Sequence, residues 1–353
     1  MTDLHLAPGA RLVHIGPQKT GSTALQLALF QARDELVEYG AYCPGGGYRR
    51  RRAGWAIGLN GRPAGSEQPP IELWDRLVNE VAGVGDLRAC ISNEAFAHAD
   101  REQALKIVTD LGGDAVHVVA VARRLDRYLP SLWQERVKAS EPRTFEQWLE
   151  VALHGDDSIW DYRNVWNGHD IEGLVGRWTD IVGPDRFTLI VSDDRDHGFI
   201  PRVFEQMLGL PEGLLRPSGG RDNRSLNAVE AELIRRVNAD VVPLGLRGER
   251  YRELIRKGLT NNILESGGAI PGPRIPIPGW AVDEIRALSD RRVESVRNLG
   301  VRVLGDPELL RVPDDLGEGD LELATMTVPL GAATDAFSAT LAKMVEKLDR
   351  APS

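Results

Sequence analysis

The sequence predicts an α/β fold, with a doubly wound parallel sheet flanked by helices and a helical C-terminal extension. Three observations predict it. Almost wholly apolar runs, clearest at 115–122, alternate with stretches of helical periodicity, as buried parallel strands and their crossover helices require. The first apolar run passes directly into a loop, Gly16 to Thr23, that carries two glycines, a lysine and hydroxyls, and then into a helical pattern. From about residue 224 the pattern turns helical. The expected division is an α/β core over 8–215 and a helical extension over 216–353, packed on the same domain.

The elements follow in order. A strand from Arg11 ends at Ile15, and Leu25, Ala28, Leu29, Ala32 and Leu36 repeat at helical spacing until Gly40 stops them. Arg49 to Arg52 form a basic run, read either as solvated surface or as a wall facing an anion. Leu73, Leu77 and Val81 predict a helix, and Leu87 to Ile91 a strand that ends in Ser92, Asn93 and Glu94. Ala104, Ile107, Val108 and Leu111 predict the next helix, and 115–122 a central strand followed by Arg123 and Arg124. Trp160, Tyr162, Trp166 and His169 are expected in a loop, either stacking on an acceptor or packing in a core. A strand at 186–191 and a helix through Phe199, Val203, Phe204 and Met207 complete the core. Beyond it, Leu226, Val229, Leu233 and Val237 predict a helix capped by Ser225 or Asn227. The stretch 266–279 is dense in proline and glycine and reads as a long lid or binding loop. A final amphipathic helix runs roughly from Asp335 to Leu348.

With 353 residues, 42% of them hydrophobic, the chain can bury a full core. A formal net charge of -9 argues against bulk nucleic-acid binding while permitting a local basic pocket. Two cysteines, Cys43 and Cys90, make neither a disulfide framework nor a zinc ligand set. The start lacks a basic, then apolar, leader, and no run approaches bilayer length. The expectation is a cytoplasmic protein without a membrane span. Its oligomeric state is not legible in the sequence.

The loop carries the chemistry. A strand–loop–helix of this kind aims backbone N–H groups and a helix N-terminus at one spot, which favours an anion. Gly16 and Gly21 keep the spacing of a nucleotide-binding P-loop, but Ser22 stands where that loop has its lysine. The lysine, Lys19, lies inside the loop instead, placed to reach the bridging oxygen of a shorter group anchored on Ser22 and Thr23. This is similar to the P-K-x-G-[ST]-[ST] loop of sulfotransferases that use 3′-phosphoadenosine 5′-phosphosulfate (PAPS), with Gln18 inserted between Pro17 and Lys19. His14, Ile15 and Gly16 resemble the lead-in of bacterial members.

The resemblance implies a P-loop-like fold and transfer of a sulfuryl group from PAPS to a hydroxyl or amine of a carbohydrate or small-molecule acceptor, with no metal. It implies that Gln18, Lys19, Thr20, Gly21, Ser22 and Thr23 hold the donor. Arg123 and Ser131 match the strand-end arginine and the serine eight residues later that grip its 3′-phosphate, although Arg124 and Leu125 stand where the family has an acidic or amide residue and a proline. Arg221 or Arg224 would stand in for a late basic loop, unless Asn223 or Ser225 merely caps a helix there. Glu94 is the candidate general base. Alternatively, it is a helix-terminal charge or an arginine's partner. His98, four residues on, is the competing base or an exposed helix residue. His14 reads as core, and His117, inside a strand, as structural.

Two rivals remain open at this level. A P-loop kinase or other phosphotransferase needs a lysine at position 22 and a magnesium-binding aspartate after a strand; Asp193 and Asp194 follow one late in the chain. A non-catalytic nucleotide-binding protein would keep the donor contacts and tolerate loss of Glu94.

Overall fold

The computed structural model describes residues 4–45, 51–59, 67–216, 224–266, 270–314, 316 and 326–349. Arg221, Asn223, Arg49 and Arg50 lie outside the described residues. Six strands form one sheet: β1 (Arg11–Gly16), β2 (Ala41–Tyr42), β3 (Arg88–Ser92), β4 (Val116–Ala122), β5 (Phe187–Val191) and β6 (Arg302–Leu304). Their order is β2-β3-β1-β4-β5-β6, and every pairing is parallel. The chain leaves β1 toward β2 and β3, then crosses back over β1 to β4. The connections therefore diverge between β1 and β4, and a crevice opens there beyond their carboxyl ends, where ligands of such sheets bind.

Burial explains why the strands read as continuous apolar runs. β1, β4 and β5 are buried along their whole length. Their side chains alternate between two cores. Val13, Ile15, Ile91, Val118, Ala120 and Leu189 face one, closed by the helices Glu72–Ala82, Arg101–Leu111 and Ile171–Val182. Leu12, Cys90, Val119, Val121 and Ile190 face the other, closed by Ser22–Gln31 and Phe199–Leu208. Gly40 ends the first helical stretch in the left-handed region, at φ 72, as its position suggests.

A third core lies beside the sheet. The helix Leu125–Val137 packs there against Phe145–His154, Ala228–Val241, a π-helical segment Arg252–Thr260 and the start of Gly279–Asn298. Asn227, rather than Ser225, caps Ala228–Val241, in a reciprocal pair with Glu230. The last helix, Leu330–Asp349, lies across the π-helical segment, where Gly258 leaves room for the backbone of Thr340.

Three expectations are corrected here. Trp160–His169 is a helix and not a loop; its aromatics obscure the polar face that would mark the period. The region after 216 is not purely helical. It supplies β6, paired with β5, and Val293 and Val296 reach the core under the sheet. Three residues are too few to display strand alternation. The proline-rich stretch, seen from Ile270, is anchored by buried Ile270, Ile275 and Ile277 in the third core and is no open lid.

Candidate functional site

The loop after β1 sits at the crevice between β1 and β4. Gly16 has φ +84, and a Cβ there would come within 2.9 Å of both Cα and Cβ of Glu94. Glycine thus answers both a backbone angle and a close approach. Thr20 Oγ1 donates to the carbonyl of Pro17 at 2.7 Å, folding the loop back on itself. Ser22 is buried and turns its hydroxyl toward the same carbonyl. Gly21, at φ 95, precedes the helix, whose first N–H groups receive no side-chain cap. That leaves them for an anion. Gln18 Nε2 donates to Asn164 Oδ1 at 2.9 Å. Gly168 lets the helix Trp160–His169 press on the loop, since a Cβ there would stand 2.8 Å from Pro17 Cβ.

Lys19 lies in the left-handed region, at φ 66, and its ammonium pairs with Glu135 at 3.2 Å. Burial would raise the pKa of Glu135, but Lys19 and Lys138 hold it well below the usual carboxylate range. Glu135 therefore stays charged. Ser131 lies one helical turn before it on the same half-buried face, which puts Ser131 on the side of the helix that meets the loop. Arg123, just past β4, donates through Nη1 to the carbonyl of Lys19 at 2.9 Å. Its Nε and Nη2 engage Asp194 at 3.0 and 2.7 Å. Two of its five N–H donors remain. Arg124 is taken up by Asp126.

Glu94 opens a short 3₁₀ turn, Glu94–His98, after β3 and is 4% exposed. Arg51 forms an ion pair with it. One arginine of the basic run is thus the partner of Glu94, the arginine-partner alternative read for that acid. His98 is buried, contrary to its reading as an exposed helix residue, because the turn bends it inward toward Asn164 and Asn167. Burial first, and then Arg136 and Arg177, lower its pKa to about 4. His14 is a core residue, with Nδ1 2.8 Å from Ser92 Oγ, and burial lowers it to about 3. His117 meets Thr188 at 2.9 Å inside the sheet and falls to about 4, again chiefly through burial.

Arg224 is engaged elsewhere. Both Nη atoms pair with the carboxylate of Glu230, and the guanidinium also donates to the carbonyls of Ile263 and Leu264. The site thus unites Gln18 to Thr23, Glu94, Arg123 and the face of Ser131, and leaves Arg224 in the third core. Sequence reasoning missed Glu135, Asn164 and the pairings of Arg51 with Glu94 and of Asp194 with Arg123. Only the short spacing of Ser131 and Glu135, one turn apart, gave a usable signal.

No family model matches the chain, and no curated protein matches it. A solved structure of a sulfotransferase from Alicyclobacillus acidocaldarius is similar over 68% of this chain and 96% of its own, at 16% identity and a TM-score of 0.40. Among the described residues no helix is long and apolar enough to cross a membrane, and no group of three His, Cys, Asp or Glu side chains stands ready to hold a metal ion.

His14, His98 and His117 are held neutral in the fold, with pKa values below the 6.5 of an unfolded histidine. Unfolding therefore takes up protons as the pH drops below 6.5. Their stabilising contribution is complete above that value and is lost as pH falls toward 4. Between pH 7 and pH 5 each should lose on the order of 2 kcal/mol. Urea unfolding at the two pH values measures this; an unchanged free energy would mean that the three rings do not stay neutral inside.

Proposed function

We propose that the chain is a PAPS-dependent sulfotransferase. The observation that carries the reading is the loop itself: Lys19 inside it, Ser22 at the P-loop lysine position, and Arg123 bonded to its backbone at the β1/β4 crevice. This arrangement suits a single phosphate bearing a sulfuryl group better than a triphosphate.

In this reading the N–H groups of Thr20, Gly21, Ser22 and Thr23, with the hydroxyls of Ser22 and Thr23 and the amide of Gln18, hold the 5′-phosphate, while the Thr20 hydroxyl shapes the loop through Pro17. Lys19 leaves Glu135 and stabilises the bridging oxygen as charge builds on it. The two remaining donors of Arg123, with Ser131, grip the 3′-phosphate. Glu94 takes the proton of the acceptor hydroxyl or amine while the acceptor atom bonds to sulfur. The bond from sulfur to the bridging oxygen breaks, and adenosine 3′,5′-bisphosphate leaves. Arg51 orients Glu94. The transition state is loose and in line, so positioning and charge do most of the catalysis. The acceptor is a carbohydrate or a small molecule, and the reaction belongs in the cytoplasm.

Adenosine 3′,5′-bisphosphate should bind at least tenfold tighter than AMP, because each charge-assisted bond to the 3′-phosphate is worth about 1.5–3 kcal/mol. Equal affinities by calorimetry would remove the donor assignment. Lys19→Ala should lower turnover by about 10²–10³ with a smaller loss of bisphosphate affinity; turnover near wild type would take the bridging oxygen away from Lys19. Glu94→Gln should lose about 10²–10⁴ in turnover while still binding donor, with His98→Ala mild. The reverse pattern in a sulfate-transfer assay would make His98 the base.

A further inference from the structure

The interior behind the loop holds a buried cation with open donors. Arg292, on the helix Gly279–Asn298, is 6% exposed. Its Nη1 donates to the carbonyl of Arg123 at 2.9 Å, and its Nε and Nη2 meet no acceptor among the described residues. Burial lowers its pKa only to about 10, with Tyr128 and Asp170 opposing, so it remains a cation at neutral pH. Tyr128, fully buried, stacks on His169 at a centroid distance of 3.4 Å. The Tyr128 hydroxyl is also buried without a partner among the described residues, while the His169 ring faces the backbone of Gln18.

These groups gather at the start of the helix Leu125–Val137, whose N-terminus has no side-chain cap. Its first-turn acid, Asp126, is turned to Arg124. A helix N-terminus beside an unpaired guanidinium is mutually unfavourable unless an anion lies between them. Nε and Nη2 form one flat edge of the guanidinium, which suits two oxygens of a tetrahedral anion.

We propose that Arg292 and Tyr128 form an interior oxyanion site, with the Nε/Nη2 edge and the phenolic hydroxyl as its donors and a sulfate-like group as its ligand. The group is either the sulfuryl end of a bound donor, which rests on the function proposed above, or free inorganic sulfate. The carbonyl of Arg123 ties the site to the nucleotide loop, because Arg123 also holds Lys19.

Thermal unfolding of the full chain in inorganic sulfate, balanced with chloride at constant ionic strength, tests the site. The wild-type midpoint should rise by about several degrees. Arg292→Met should abolish the rise, Tyr128→Phe should reduce it, and Lys19→Ala should keep it. Tyr128→Phe preserves the stacked ring, so it decides the matter if Arg292→Met does not fold. Binding of PAPS and of adenosine 3′,5′-bisphosphate separates the sources. If Arg292 reads the donor's sulfuryl end, PAPS binds about tenfold or more tighter than the bisphosphate in the wild type, and Arg292→Met equalises them. If the ligand is free sulfate, that ratio survives Arg292→Met while the sulfate response is lost. The proposal is overturned if both variants keep the wild-type sulfate response and the wild-type ratio. A sulfate response lost in Lys19→Ala and kept in Arg292→Met would also overturn it, by placing the anion on the loop, and would leave the sulfotransferase reading intact.

Discussion

The close approach of Gly16 to Glu94 sets the rest of the site. Parallel pairing of β1 with β3 runs to the end of β3, with His14 opposite Ser92, and gives way to direct contact between Gly16, at the end of β1, and Glu94 just past β3. No side chain fits between them. The backbone at Gly16 therefore turns at a positive φ, and the loop folds over β1 while Glu94 is fixed at its edge. The opposite side of the loop is closed in the same manner, by Gly168 against Pro17. Two glycines thus convert ordinary strand and helix packing into the rigid seat proposed for an anion, with an acid beside it.

The charges around that seat are balanced internally in the structure as it stands. Lys19 leans on Glu135, Arg123 on Asp194 and Arg51 on Glu94. Pairs of this kind offset the cost of taking the cations partly out of water. An anionic ligand must then exchange with Glu135 and Asp194 rather than fill bare positive sites, which disfavours weakly charged competitors. The net charge of -9 has no bearing on this local arrangement, because the cations are concentrated at one crevice.

Arg292 stands apart from that balance. It comes from the C-terminal part of the chain, and the same helix also sends Val293 and Val296 into the core under the sheet. The far end of the chain is therefore built into the sheet and its crevice, with β6 as the last strand. Its contribution is both packing and polar, and the polar part reaches Arg123, which bonds the loop after β1.

The sequence by itself determined the parallel α/β architecture, because strands buried on both faces must be apolar throughout, as at 115–122 and 187–191. It also determined the strand–loop–helix unit that carries Gly16, Lys19, Gly21 and Ser22, because that pattern is local to one stretch of chain. Arg123 and Ser131 came from the resemblance alone, through a strand-end arginine and a serine eight residues later, and they stay part of the proposed donor site. The partners that arrive from afar left no local trace. Glu135, Asp194, Arg51 and Arg292 are separated from the groups they meet by tens to hundreds of positions, and no periodicity encodes which charges will face each other across a crevice. The burial of His98 was hidden for the same reason, since a short 3₁₀ turn leaves no repeating pattern and its inward direction is set by the helices Trp160–His169 and Ile171–Val182 packed against it. Tertiary structure alone decided these, because the energy of a charge depends on what surrounds it in space and not on its neighbours in the chain.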